Sequence, residues 1–146
     1  MAIPFTDREL ERAWRENLSA SGQTKRSNAH RLLLFYAVEC GLKAVVMRKG
    51  GIRSGRTDYF SEITEAQHDI NKLLDWLSVN KRLRLPRQIR MCDVADVRRI
   101  KEKRELNTGQ INQMWRYGGR SFGAVTDEDL EKQLLLISEW IKRELL

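Results

Sequence analysis

The stretch from Leu32 to Met47 limits the fold more than any other part of this chain. Leu32, Leu33, Phe35, Tyr36, Ala37, Val38, Cys40, Leu42, Ala44, Val45 and Met47 leave hardly any polar face, with Glu39 and Lys43 as the interruptions. A helix that is apolar nearly all round belongs at the centre of a bundle, where other helices cover every side. The stretch is too short and too charged to cross a bilayer, which needs about 20 apolar residues. Ser27 or Asn28 can cap its start, the helix runs to about Arg48, and Gly50-Gly51 stops it. Gly41 and the alanines let neighbouring helices approach closely.

The remaining elements are predicted around that centre. Thr6-Asp7-Arg8-Glu9 reads as a capping box, followed by Leu10, Ala13, Trp14 and Leu18 on one face, with Gly22 ending the helix. A third helix starts near Thr64 or earlier. Thr64-Glu65-Ala66-Gln67 forms a second capping box there, and Ala66, Ile70, Leu73, Leu74 and Leu77 make the buried stripe. A fourth helical region is expected from Pro86, with Ile89, Val94, Val97 and Ile100 as its apolar edge. Asn107-Thr108-Gly109 breaks it. A short helix carries Ile111, Met114 and Trp115, and Gly118-Gly119 and Gly123 end that piece. Thr126 opens the last helix with Asp127, Glu128 and Asp129 in its first turn, favourable for the helix dipole. Leu130, Leu134, Ile137, Ile141 and Leu145 form its buried face. No segment alternates clearly enough to predict a strand. The fold expected is all-α, an up-and-down bundle of about five helices over residues 1–146, and 146 residues suit one domain.

The net charge of +7 is unevenly placed. Residues 81–104 hold 10 Lys/Arg against 3 Asp/Glu, while the surplus of two over 1–80 and the deficit of two over 105–146 cancel. Such a segment attracts polyanions. Its Arg87, Arg90, Arg98, Arg99, Lys101 and Arg104 are the predicted phosphate contacts, joined by Arg116 and Arg120 in Trp115-Arg116-Tyr117-Gly118-Gly119-Arg120. No aromatic falls within 81–104, so base stacking is not expected from that stretch. The loop 48–56 is basic and glycine-rich but matches no P-loop pattern, and is read as a connection with solvated charges. Direct chemistry has three candidates: Arg116, Tyr117 and His68. The neighbours His68 and Asp69 project about 100° apart on a helix, so they are expected to cap and pack rather than act as a pair. His30 is read as a hydrogen-bonded residue at the core edge. Cys40 and Cys92, far apart and outside any Cys-x-x-Cys, are expected as free thiols. With two histidines, no metal site is expected, and no cofactor. MAIPFTDREL has neither a basic start nor an apolar run, so no secretion signal and a cytoplasmic protein are expected.

The helix Ala29-His30-Arg31-Leu32-Leu33-Leu34-Phe35-Tyr36-Ala37-Val38-Glu39-Cys40-Gly41-Leu42-Lys43-Ala44 resembles the second helix of the HEPN superfamily. The acid followed by Leu-Lys-Ala, then a loop, then His68-Asp69-Ile70 with Leu73-Leu74, is similar to that family's layout. Arg116-Tyr117-Gly118 lies where its members often carry a functional arginine. The resemblance implies a helical bundle that commonly dimerises. Many members are metal-independent ribonucleases of toxin–antitoxin, CRISPR and antiphage systems. The family's catalytic pattern is an arginine, four to six residues, then a histidine. After Arg116 the corresponding positions are Ser121, Phe122 and Gly123, and no histidine follows Arg120. His30 and His68 have no arginine at the required spacing.

The expectation is therefore a non-catalytic or degenerate HEPN-like protein that binds nucleic acid, RNA rather than DNA. It would act as an adaptor or accessory subunit of a prokaryotic defence or toxin–antitoxin system, as a homodimer or with a larger protein subunit, and away from membranes. A metal-independent ribonuclease with a non-standard site is the first alternative. A subunit docking an acidic partner protein is the second.

Overall fold

The computed structural model describes residues 3–50 and 55–146. The capping box forms as read. Glu9 N–H donates to the Thr6 hydroxyl at 3.2 Å, and Thr6 N–H donates to the Glu9 carboxylate at 3.0 Å. Helix α1 then runs Asp7–Ser21. Ser27 caps α2, Asn28–Lys49, and Gly50 follows its end. Gly51, Ile52, Arg53 and Ser54, four of the nine residues of the basic loop 48–56, lie outside the described residues.

Helix α2 is the centre of the molecule. Leu34, Phe35, Ala37, Val38, Leu42, Ala44, Val46 and Met47 are all at most 1% exposed. The helices α1, α4 (Ile70–Trp76), α5 (Ile111–Arg116) and α6 (Asp127–Leu145) pack on it. Gly41 sits where α1 and α6 converge. A Cβ there would lie 2.9 Å from both Ile141 and Trp14, so no larger residue fits without movement. Trp14 Nε1 donates to Ser138 Oγ at 3.2 Å, tying α1 to α6 across α2's flank.

The third predicted helix is two. Helix α3, Ser61–Ala66, ends at Gln67, and α4 starts at Ile70. Thr64 does not cap. It lies inside α3, and its hydroxyl donates to Phe60 O. The break has a local cause. Asp69 Oδ1 accepts from the N–H groups of Asn71 and Lys72 and caps α4, which starts a new helix. Asp69 N–H closes a turn onto Ala66 O at 2.8 Å. The stripe Ala66, Ile70, Leu73, Leu74, Leu77 is buried all the same.

The helix expected over the basic segment is not there, so the fold is mainly helical but not all-α. After a single 3-10 turn at Lys81–Leu83, the chain extends and forms a hairpin of β1 (Ile89–Ala95) and β2 (Lys101–Leu106). The lead-in is clamped by α4, where buried Asn71 donates to Leu85 O and accepts from Leu85 N–H, both at 2.8 Å. Beyond Pro86, burial follows a period of two. Ile89 and Met91 are buried, and Arg90 and Cys92 are exposed. The supposed apolar edge faces solvent, with Val97 101% and Ile100 61% exposed. Asp96 turns the chain back. Its Oδ1 accepts from Arg98 N–H at 2.8 Å and Ile100 N–H at 3.0 Å, and Arg99 takes φ 63. A carboxylate that binds nearby backbone amides competes with helix formation. The hairpin's base is anchored on the α5–α6 loop, with Met91 bridged to Ser121 and Phe122 N–H donating to Arg90 O at 2.6 Å.

The Thr126 capping box and the buried face of α6 follow the expectation. Both cysteines are free thiols. Among the described residues, no helix is long and apolar enough to cross a membrane.

Candidate nucleic-acid interface and the Glu39–His68–Arg116 cluster

All eight cations predicted to contact phosphate are exposed: Arg87, Arg90, Arg98, Arg99, Lys101, Arg104, Arg116 and Arg120. The hairpin carries five of them, with Arg98, Arg99 and Lys101 at or beside its tip. Arg90 reaches Asp93 only at 3.9 Å, and Arg104 Nε donates to the carbonyl of Cys92 at 2.9 Å. Among the described residues, Arg87, Arg98, Arg99 and Lys101 form no ion pair. Arg99 occupies the left-handed backbone region at a position where glycine or asparagine is the easy residue. An arginine there costs on the order of 1 kcal/mol, a cost that brings one more cation to the tip.

The fold also supplies the aromatic that 81–104 lacks. The Arg90 guanidinium stands 5.9 Å from the centre of the Phe122 ring, and Phe122 is half exposed. Nothing in the linear segment points to Phe122, because it is brought there by the bridge between Met91 and Ser121. Arg120 lines a second, mixed-sign surface with Arg31, Asp127 and Glu128. Arg31 there is already paired with Glu131 at 3.4 Å and Asp127 at 3.9 Å.

A separate polar cluster is built on α2. Tyr36, Glu39 and Lys43 follow one another at spacings of three and four, so they share a face. Glu39 is 6% exposed, an acid buried in an otherwise apolar helix. Its carboxylate accepts from His68 Nδ1 at 2.7 Å and lies 3.8 Å from Lys43 Nζ. A carboxylate has no proton to give, so the imidazole proton is on Nδ1. Nε2 then has no hydrogen bond among the described residues, and about half of the side chain is open to water. Arg116, the last residue of α5, donates to the Tyr36 hydroxyl, and its guanidinium stands 5.9 Å from that ring's centre. The His68 ring lies 6.4 Å from the Tyr36 ring on a tilted plane. Thus Tyr36 links two of the sequence candidates, His68 and Arg116. Tyr117 follows Arg116 and is 78% exposed.

The hydrogen bond to Glu39 raises the His68 pKa above its ordinary value. Partial burial and the positive charges of Lys43 and Arg116 oppose that rise, and the Glu39 charge reinforces it. Arg116 is held still more firmly charged by its bond to Tyr36. The arrangement offers a planar cation that can grip a phosphate in bidentate fashion and an imidazole oriented by a buried carboxylate.

Asp69 is not part of the cluster. Besides capping α4, its carboxylate accepts from the Thr108 hydroxyl at 2.6 Å, so the adjacent pair does point apart. His30 is also elsewhere, its Nδ1 accepting from Ser27 N–H at 3.2 Å at the start of α2. Sequence reasoning took Tyr36 as part of the apolar helix and Glu39 as an interruption of it. The available signal was Glu39 itself, an acid in the most buried stretch of the chain.

Gln67, the residue that presents His68, has φ 50 and ψ −112. That is the conformation of the first central residue of a type II′ turn, a position dominated by glycine. Holding glutamine there costs about 1–3 kcal/mol. On the Gln67 and Lys43 side of His68 lies a cavity of about 450 Å³, walled by Ile3, Phe5, Leu10 and Ile63.

No family model matches this chain, and no curated protein or solved structure matches it either.

Proposed function

We propose that this protein binds RNA, gripping phosphates with the hairpin cations Arg90, Arg98, Arg99, Lys101 and Arg104 and with Arg87, Arg116 and Arg120. The observation that carries the reading is the exposed hairpin whose tip cations Arg98, Arg99 and Lys101 form no ion pair among the described residues, with Arg99 in a strained backbone. Arg90 beside Phe122 and Arg116 beside Tyr36 and Tyr117 add arginine–aromatic pairs of the kind that hold unpaired bases. The HEPN-like, up-and-down bundle belongs to this proposal, as do RNA over DNA, the adaptor role in a prokaryotic defence or toxin–antitoxin system, and assembly with a second copy or a larger subunit. The test is fluorescence anisotropy with a labelled single-stranded RNA and the same sequence as DNA. Arg98→Glu, Arg99→Glu and Lys101→Glu together should abolish RNA binding. Unchanged affinity in that variant, or preference for DNA, contradicts the reading. Binding to an acidic protein and not to nucleic acid would favour the partner-docking alternative.

A second reading, metal-independent RNA cleavage, is favoured by the convergence of His68 and Arg116 on Tyr36. In it, the ribose 2′ oxygen attacks phosphorus and the bond to the 5′ oxygen breaks. Charged His68 delivers its Nε2 proton to the leaving 5′ oxygen, and the 2′-hydroxyl proton goes to solvent. The products are a 2′,3′-cyclic phosphate and a 5′-hydroxyl. Arg116 neutralises the charge gathered on the phosphate. Cleavage in EDTA that is lost in both Arg116→Ala and His68→Ala carries this reading. RNA left intact by the wild type returns the protein to a binding role.

A further inference from the structure

We propose that the cavity beside His68 is a seat for one unpaired nucleobase, read by the side chain of Gln67. The inference rests on the RNA-binding reading above and names the part of the ligand that this site takes. Its volume, about 450 Å³, lies within the range of roughly 300–1,000 Å³ typical of small-ligand sites. Ile3, Phe5, Leu10 and Ile63 give it apolar walls, and Lys43, Thr57, Asp58, Thr64, Gln67 and His68 complete the lining. Ile3 is 73% exposed and Phe5 46%, so both turn unburied apolar surface to water. A base has two apolar faces and a polar edge, and an aromatic ring such as that of Phe5 can stack on one face. Lys43 and His68 supply the positively charged part of the lining, and Asp58, held by Arg56 at 2.8 Å, is its one acid. A base seated against the apolar walls turns its ribose and phosphate toward the cations of the lining, Lys43 and His68.

Gln67 supplies the reason to expect recognition rather than mere filling. The turn displaying His68 needs a backbone that glycine adopts without strain, and glutamine stands there instead. The neighbouring Thr64 hydroxyl donates to Phe60 O and His68 Nδ1 to Glu39. The Gln67 amide, also lining the cavity, is bonded to nothing among the described residues. A free amide offers a donor and an acceptor side by side, the pattern that base edges complement.

The test uses the four ribonucleoside 3′-monophosphates as probes, titrated by calorimetry into the whole protein. The wild type should discriminate the best from the worst base by at least tenfold. Gln67→Gly should reduce that spread to less than threefold while melting no lower than wild type. Thr64→Trp, which adds bulk at an exposed wall position, should weaken the preferred nucleotide at least tenfold and serves if the glycine variant fails to fold. Equal affinities for the four nucleotides, or a spread untouched by Gln67→Gly, overturn the inference. So does the absence of nucleotide binding by a protein that still binds the labelled RNA, and in that case the RNA-binding reading stands. If the wild type binds neither, both are overturned.

Discussion

His68 is the residue whose behaviour follows most directly from its neighbours. Glu39 holds its folded-state pKa above the unfolded value of about 6.5. Lys43 and Arg116 are the charged groups working against that rise. A raised pKa means that the folded state binds the proton more tightly, so the stability gained is fully present below about pH 6.5. That gain is lost as pH rises through the folded value. Urea midpoints across that interval should converge for wild type and His68→Asn as pH increases, with wild type ahead on the acid side. Parallel curves would remove Glu39 as the cause. At the same scale, Asp96 decides more than its size suggests, since one carboxylate fixes the hairpin tip through two backbone amides.

Among the elements, the helices with a clear apolar period were legible and the basic segment was not. Helix α2 was readable because Leu32 to Met47 admits no other placement. The caps at Thr6 and Thr126 announced α1 and α6. The hairpin escaped because its buried part is short. Ile89 and Met91 alternate for two residues, and then β1 and β2 leave the core with every residue from Cys92 to Glu105 exposed. Without burial there is no period to read, and Val94, Val97 and Ile100 imitated a helix edge. The site was legible in its parts, His68 and Arg116, but not in their junction. Tyr36, eighty positions before Arg116, becomes the link only after α5 packs on α2. Packing of α2 makes its own prediction at Gly41. A Cβ 2.9 Å from Ile141 and Trp14 overpacks the crossing, costing about 1–3 kcal/mol against a gain of about 1 kcal/mol in helix propensity. Gly41→Ala should therefore melt below wild type, and a rise in melting temperature would contradict the packing account.

For the whole molecule, the governing fact is the separation of charge from core. Of the seven surplus charges of residues 81–104, four fall in the lead-in 81–88 and three in the hairpin residues 89–104, whose every residue from Cys92 on is exposed. In the RNA binding proposed above, each phosphate neutralised releases counterions, so affinity falls with salt in proportion to the phosphates neutralised. The decisive measurement is the slope of log affinity against log salt for one single-stranded RNA, taken for wild type and for the protein with Arg98, Arg99 and Lys101 all changed to Ala. Each phosphate contact contributes about 0.7 to that slope for single strands. The account predicts a steep negative slope for wild type and a slope shallower by about 2 for the triple variant. Equal slopes in the two proteins would contradict it.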